Sequence, residues 1–235
     1  MKKIFTIIAI FISGCILYLG TGCSKMNDLH DVFLKDGERL YLGKIDSAHT
    51  FPGNERVLIR YWVSDPRIKS VLFSWVPMDD SVKINVERTT MDTDSFDVVI
   101  GGQDGIKSIS EGNYVFKIAT SNNDGDLSLP VEKILNVYGE DYRGTLLQRL
   151  YRSYSWSNNN LIVDWREGEV ESLYTEISYL DTSGTQITRQ IANIEVKDTL
   201  INFPSSGVFK HRTAYKPVPE SIDVFHTDYV EVQID

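Results

Sequence analysis

A two-residue alternation of side chains, cut at short intervals by turn formers, limits what this chain can fold into. Val57, Ile59 and Tyr61 alternate with Leu58, Arg60 and Trp62; Val71, Phe73 and Trp75 alternate with Leu72, Ser74 and Val76. Tyr114, Phe116 and Ile118 alternate with Val115 and Lys117. A period of two puts one set on each face of a strand, the mark of half-buried β-structure. Arg39–Lys44, Val82–Val86, Phe96–Ile100 and Leu127–Val137 supply further strand candidates. Pro52-Gly53-Asn54, Asp65-Pro66, Asp79-Asp80, Gly101-Gly102 and Asn122–Gly125 separate them as turns. About seven short strands spaced in this way predict an immunoglobulin-like sandwich. Within it, Glu111-Gly112-Asn113-Tyr114 resembles the approach to the sixth strand of a fibronectin type III domain. There a tyrosine hydroxyl closes the preceding corner by bonding to backbone. Ile109, five residues before Tyr114, stands one place closer than the leucine such domains carry.

The pattern then repeats. Val137-Tyr138-Gly139-Glu140-Asp141 reads as a junction. Leu146, Leu147, Leu150 and Tyr151 have helical spacing, but a first strand is due there, and the reading over Gly144–Ser155 is strand. Leu161, Val163 and Trp165 correspond to Val57, Ile59 and Tyr61. Strands are expected over Leu173–Tyr179, Thr185–Ile191, Asp198–Phe203, Gly207–Tyr215 and Ile222–Val232, with a hairpin turn at Asp181–Gly184. Val208 falls where the first half has Tyr114, so the tyrosine corner is not expected twice. The predicted fold is all-β: two tandem immunoglobulin or fibronectin type III-like sandwiches, residues 37–138 and 139–235.

Ahead of them lies a different kind of segment. Lys2 and Lys3 precede a mostly apolar run, Ile4 to Leu19, that ends at Gly20-Thr21-Gly22. A charged start, an apolar run and a small-residue end make a secretory signal. The run is shorter than the roughly 20 apolar residues a membrane-spanning helix needs. Thr21-Gly22-Cys23 resembles the end of a bacterial lipoprotein signal, whose cysteine is acylated and becomes N-terminal. Gly20 departs from that pattern, where Leu, Val or Ile is commoner. Ile12-Ser13-Gly14-Cys15 fits the letters better but would leave Ile16–Leu19 as an apolar tail. The expectation is a signal peptide over 1–22, lipid attachment at Cys23 and a tether over 23–36, with Cys15 as the alternative acceptor. Several acyl chains on one cysteine hold a protein on a membrane where one chain does not. The expected location is the outer membrane, on either face.

Net charge is −9 with no basic patch, which argues against nucleic acid. Cys15 and Cys23 are the only cysteines, so the downstream sequence offers no disulfide, cysteine-ligated zinc or cysteine nucleophile. His30, His49, His211 and His226 lack metal spacing and show no serine–acid pattern; no catalytic residue, cofactor or metal is expected. Asn122-Asn123-Asp124-Gly125-Asp126 carries oxygens at alternate positions, as calcium loops do. Lys133 stands at the twelfth position, where such a loop needs a bidentate carboxylate, and the segment reads as a hairpin turn. Exposed aromatics stack on sugar rings. Trp75 and Trp165 read as core; Trp62 and Trp156 are the candidate ligand-stacking aromatics.

A series of short motifs runs through the chain: Gly37-Glu38, Tyr41, Gly43-Lys44, Pro52-Gly53, Arg56-Val57, Ser64-Asp65-Pro66, Glu111-Gly112-Asn113-Tyr114 and Val137-Tyr138-Gly139. It continues through Leu146-Leu147, Arg149, Arg212-Thr213, Tyr215, Pro217, Ile222-Asp223, Phe225 and Thr227-Asp228-Tyr229. In their order and spacing these resemble an uncharacterised lipoprotein domain family of Bacteroidota, a domain of unknown function. Such lipoproteins are often encoded near outer-membrane glycan-uptake systems, and some carry discoidin-like domains, which are not expected in this sequence. The resemblance implies location and context rather than chemistry. The functional expectation is a non-catalytic envelope lipoprotein, a binding or accessory module for glycan or for an uptake protein. A structural adaptor for another envelope protein is the alternative, and a carboxylate-dependent glycoside hydrolase the third reading.

Overall fold

The computed structural model describes residues 41–235. The expected signal peptide, the Cys15 and Cys23 readings and the whole of the expected tether lie outside them. The first sandwich is built from β1 (Ser47–Pro52), β2 (Arg56–Val63), β3 (Ser70–Val76), β4 (Asp80–Asn85), β5 (Asp94–Gly101), β6 (Gly112–Ser121) and β7 (Val131–Val137). One antiparallel sheet has the order β1-β2-β5 and the other β4-β3-β6-β7. Register follows the alternation. Val57, Ile59 and Tyr61 stand opposite Ile100, Val98 and Phe96, all on the inner face. On the other sheet Phe73 faces Ile118 and Trp75 faces Phe116, with the latter rings stacked 5.4 Å apart. Tyr61 meets Phe73 edge-on at 5.4 Å across the core. Each such side chain contributes about 1.5–3 kcal/mol when fully buried.

The second sandwich contains β8 (Tyr151–Ser157), β9 (Asn160–Trp165), β10 (Ser172–Leu180), β11 (Gln186–Ala192), β12 (Lys197–Leu200), β13 (Gly207–Tyr215), β14 (Phe225–His226) and β15 (Val230–Ile234). Its sheets are β12-β9-β8 and β11-β10-β13, with β14 and β15 both on the far edge of β13. Strand for strand this is the order of the first half. The chain is a tandem of two fibronectin type III-like sandwiches, each with its own core; the second is formed around Trp165, Leu161, Val163, Ile177 and Phe209.

Four local expectations change. Residues 41–44 are not strand, and the first strand is β1. Side chains take the backbone groups of Gly43: its N–H donates to Asp65 Oδ2 (2.9 Å), and its carbonyl accepts from the Thr120 hydroxyl (2.6 Å). The junction contains a short helix, α1 (Glu140–Thr145), and the strand begins only at Tyr151. The last strand is split, because Thr213 N–H is taken by the Thr227 hydroxyl rather than by a continuous partner strand. Finally, Phe209 rather than Val208 stands where Tyr114 stands: Phe209 is buried and Val208 is exposed. The first tyrosine corner forms as expected, with the Tyr114 hydroxyl donating to Ser110 O at 3.0 Å. In the second sandwich Tyr179 on β10 donates to Ile201 O at 3.1 Å and ties the β12–β13 connection instead.

Candidate functional site

Where the sandwiches meet, short-range chemistry from both halves converges. The β1–β2 turn brings Gly53 N–H onto Arg56 O (2.8 Å) and sets Glu55 in the left-handed region at φ 49°. That places the turn against the end of β7: Glu55 N–H donates to Tyr138 O, and Tyr138 N–H donates to Gly53 O. The segment before β14 then lies against the turn. Ile222 N–H donates to Pro52 O (2.9 Å), and Asp223 Oδ2 accepts from Asn54 N–H (2.8 Å). Arg56 closes on the same carboxylate with two prongs, Nε to Oδ2 at 2.9 Å and Nη2 to Oδ1 at 2.5 Å. Two-pronged pairing of this kind fixes orientation as well as attraction. Burial pushes the Asp223 carboxyl up, but the Arg56 guanidinium and the Asn54 N–H outweigh it and hold it below its usual range. Glycine is required at 53 by close approach: a Cβ there would sit 2.4 Å from Asp223 Oδ2 and 2.8 Å from Ile222 Cγ1.

A second set of contacts runs through α1. Glu111, from the loop before β6, accepts from Asp141 N–H (2.7 Å) and Tyr142 N–H (2.9 Å). A carboxylate there satisfies helix N–H groups that have no partner inside the helix. Tyr138, Tyr142 and Phe225 form an aromatic cluster with centroids 5.1–6.4 Å apart. Arg143 donates to His226 O (3.1 Å) and pairs with Asp228 at 2.5 Å. Two polar clefts flank these contacts. One, of about 550 Å³, is lined by Asn54, Glu55, Arg56, Gln103, Asp104 and Ser108 among others. The other, of about 260 Å³, is bordered by Asn54, Glu140, Arg143, Arg212 and His226. Asn54 lines both.

Away from the seam the buried Arg149 and His211 serve the fold. Arg149 is buried and donates to three carbonyls, Arg166 O (2.8 Å), Ala192 O (3.2 Å) and Glu195 O (2.6 Å). His211 lies edge-on to Trp165 at 4.8 Å, and burial, with the Arg149 charge, lowers its pKa to about 4. The Gln148 amide nitrogen meets its Nδ1 at 2.6 Å, which fits a neutral ring with the proton on Nε2. His211 and His226 do not pair. His226 stands opposite Ala214 and His211 opposite Val230. On the outer face of the same sheet Arg212 and the Tyr229 hydroxyl both bond to Glu176.

The candidate aromatics lie on different sandwiches and are not brought together. Trp62 is partly buried and packs edge-on against His49 at 5.3 Å. Trp156 is 40% exposed and leans on Phe203 at 6.2 Å. Trp75 and Trp165 are core residues. The Asn122 loop spends its oxygens on itself: Asn122 Oδ1 accepts from the N–H groups of Asp124 (3.0 Å) and Asp126 (2.9 Å). Among the described residues, no group of three or more His, Cys, Asp or Glu side chains is placed to hold a metal. Arg56, Asp223, Glu111 and Arg143 were not anticipated as site residues. The available signal was the run of short motifs carrying the family resemblance, since Pro52-Gly53, Arg56, Glu111, Tyr138-Gly139, Asp223, Phe225 and Asp228 all fall on the seam.

A family model, DUF4998, described as a domain of unknown function, matches residues 23–225. No curated protein matches the chain. Among solved structures, a two-domain fibronectin type III segment of chicken tenascin is 10% identical, covering 82% of this chain and 99% of that one, with a TM-score of 0.32. The chicken CNTN1 FN1–FN3 domains are 12% identical, covering 81% of this chain and 64% of that one, with a TM-score of 0.40. The chicken interferon gamma receptor alpha chain is 13% identical, covering 82% and 98%, with a TM-score of 0.31.

Proposed function

Because the chain belongs to the DUF4998 family, whose domain has no assigned function, we propose a role from the geometry: a non-catalytic envelope lipoprotein that presents two rigidly coupled sandwiches as one binding surface. The observation that carries this reading is the seam, where Asp223 of the second sandwich is held by Arg56 and Asn54 of the first. Independent beads on a string have no use for such a lock. The proposed ligand is a glycan, taken in the larger seam cleft, where Asn54, Gln103, Asp104 and Ser108 offer both donors and acceptors to hydroxyl groups. Trp156 offers a separate exposed ring for stacking. The signal-like N-terminus supports anchoring through Cys23 at the outer membrane of a Bacteroidota cell.

Two measurements test this. Mass spectrometry of the mature N-terminus should find an acylated Cys23; an unmodified N-terminus inside the first sandwich would refute the anchor. A glycan array with the purified protein should give binders that Gln103→Ala and Ser108→Ala weaken together. No binder, with a specific envelope protein recovered from membranes instead, would favour the adaptor reading.

A further inference from the structure

The strand β8 closes one side of the sheet β12-β9-β8, and among the described residues nothing pairs with its outer edge. An open strand edge carries a row of unused N–H and C=O groups and is a template for pairing with another chain. Proteins usually blunt such edges with charge, proline or brevity. The other outer strands here do so. β12 is four residues long with Lys197 and Asp198; β7 carries Glu132 and Lys133; β1 ends on Pro52. β8 has neither proline nor acid, and its one charge, Arg152, sits where the pairing with β9 slips by a residue. Arg152 through Ser157 are all exposed. Tyr154 and Trp156 stand opposite the core residues Val163 and Leu161, so they share the inner face, yet they remain 36% and 40% exposed at its rim.

We propose that β8 is a self-association edge, pairing antiparallel with β8 of a second copy about a two-fold axis at Tyr154. The strand's own sequence selects this occupant. A two-fold axis at Tyr154 lets all of Tyr151–Ser157 pair. It sets Tyr154 against the partner's Tyr154, Ser153 against the partner's Ser155, and Arg152 against the partner's Trp156. Aromatic and hydroxyl pairs directly across a sheet are favourable, and a guanidinium facing an indole adds a cation–π contact. Centring the pair on Arg152 would oppose two like charges, which is unfavourable. The resulting interface is isologous and closed, so pairing stops at two copies.

The full chain, purified in detergent, tests this directly. Under mild oxidation Tyr154→Cys should give a disulfide-linked pair in excess of the unsubstituted chain. Ser183→Cys, at the β10–β11 hairpin, should not. In sedimentation, the unsubstituted chain should dimerise with concentration. Tyr154→Lys, which opposes two charges on the axis, should weaken the dimer by about tenfold or more. The proposal is overturned by a monomer at every concentration, or by equal linkage at positions 154 and 183.

Discussion

Arg56 and Asp223 show how much one pair can decide at the scale of the residue. Their bonds replace water on a carboxylate that also satisfies the Asn54 N–H, so removal of the carboxylate leaves three N–H donors short, two of Arg56 and one of Asn54. Asp223→Ala should cost about 1–3 kcal/mol in chemical denaturation, the usual penalty for unpaired, partly buried donors. His211 makes stability depend on pH. Its pKa in the folded protein is lowered to about 4, against an ordinary value of 6.5. The unfolded chain therefore binds a proton first as pH falls. The neutral form's contribution is fully present above pH 6.5 and drains away between there and about pH 4. The total is roughly 3 kcal/mol. Thermal unfolding from pH 7 to pH 4 should show that decline, and His211→Gln should flatten it. His226 is also lowered by burial and adds in the same direction.

Whole elements were mostly legible from the alternation, and where they were not the reason is physical. β2, β3, β6 and β9 follow period-two runs whose one face is entirely core. The tyrosine corner was readable because its hydroxyl bonds within four residues, a local signal. Tyr114→Phe should cost about 1 kcal/mol in denaturant unfolding, since the Ser110 carbonyl loses a partner while the ring stays buried. Residues 41–44 misled because apolar Leu42 is buried without a ladder, its neighbours' backbone groups going to Asp65 and Thr120 across the fold. The segment after α1 misled in another way. Its leucines have helical spacing, but Leu147 and Leu150 are exposed, and the segment is pinned through the Leu147 carbonyl to the Tyr215 hydroxyl and through Arg149 to distant carbonyls. Partners so far apart in sequence leave no periodic trace.

At the scale of the whole molecule the tandem itself was visible in sequence, but the seam was not. Its hydrogen-bonded partners lie far apart in the chain, 169 residues for Asn54 and Asp223, and each is an ordinary turn or loop residue in its own neighbourhood. In the proposed reading this seam holds the two sandwiches as one rigid body; both lie within one compact unit, Leu42–Asp235. Fixed relative orientation separates a composite binding surface from a flexible spacer, in which each sandwich would act alone. The most direct test is a pulsed electron spin resonance distance measurement between nitroxides at Lys83 on β4 and Ser183 on the β10–β11 hairpin. A rigid seam gives one narrow distance distribution that broadens in Arg56→Ala/Asp223→Ala. A broad distribution in the unsubstituted protein, unchanged by those substitutions, would contradict it.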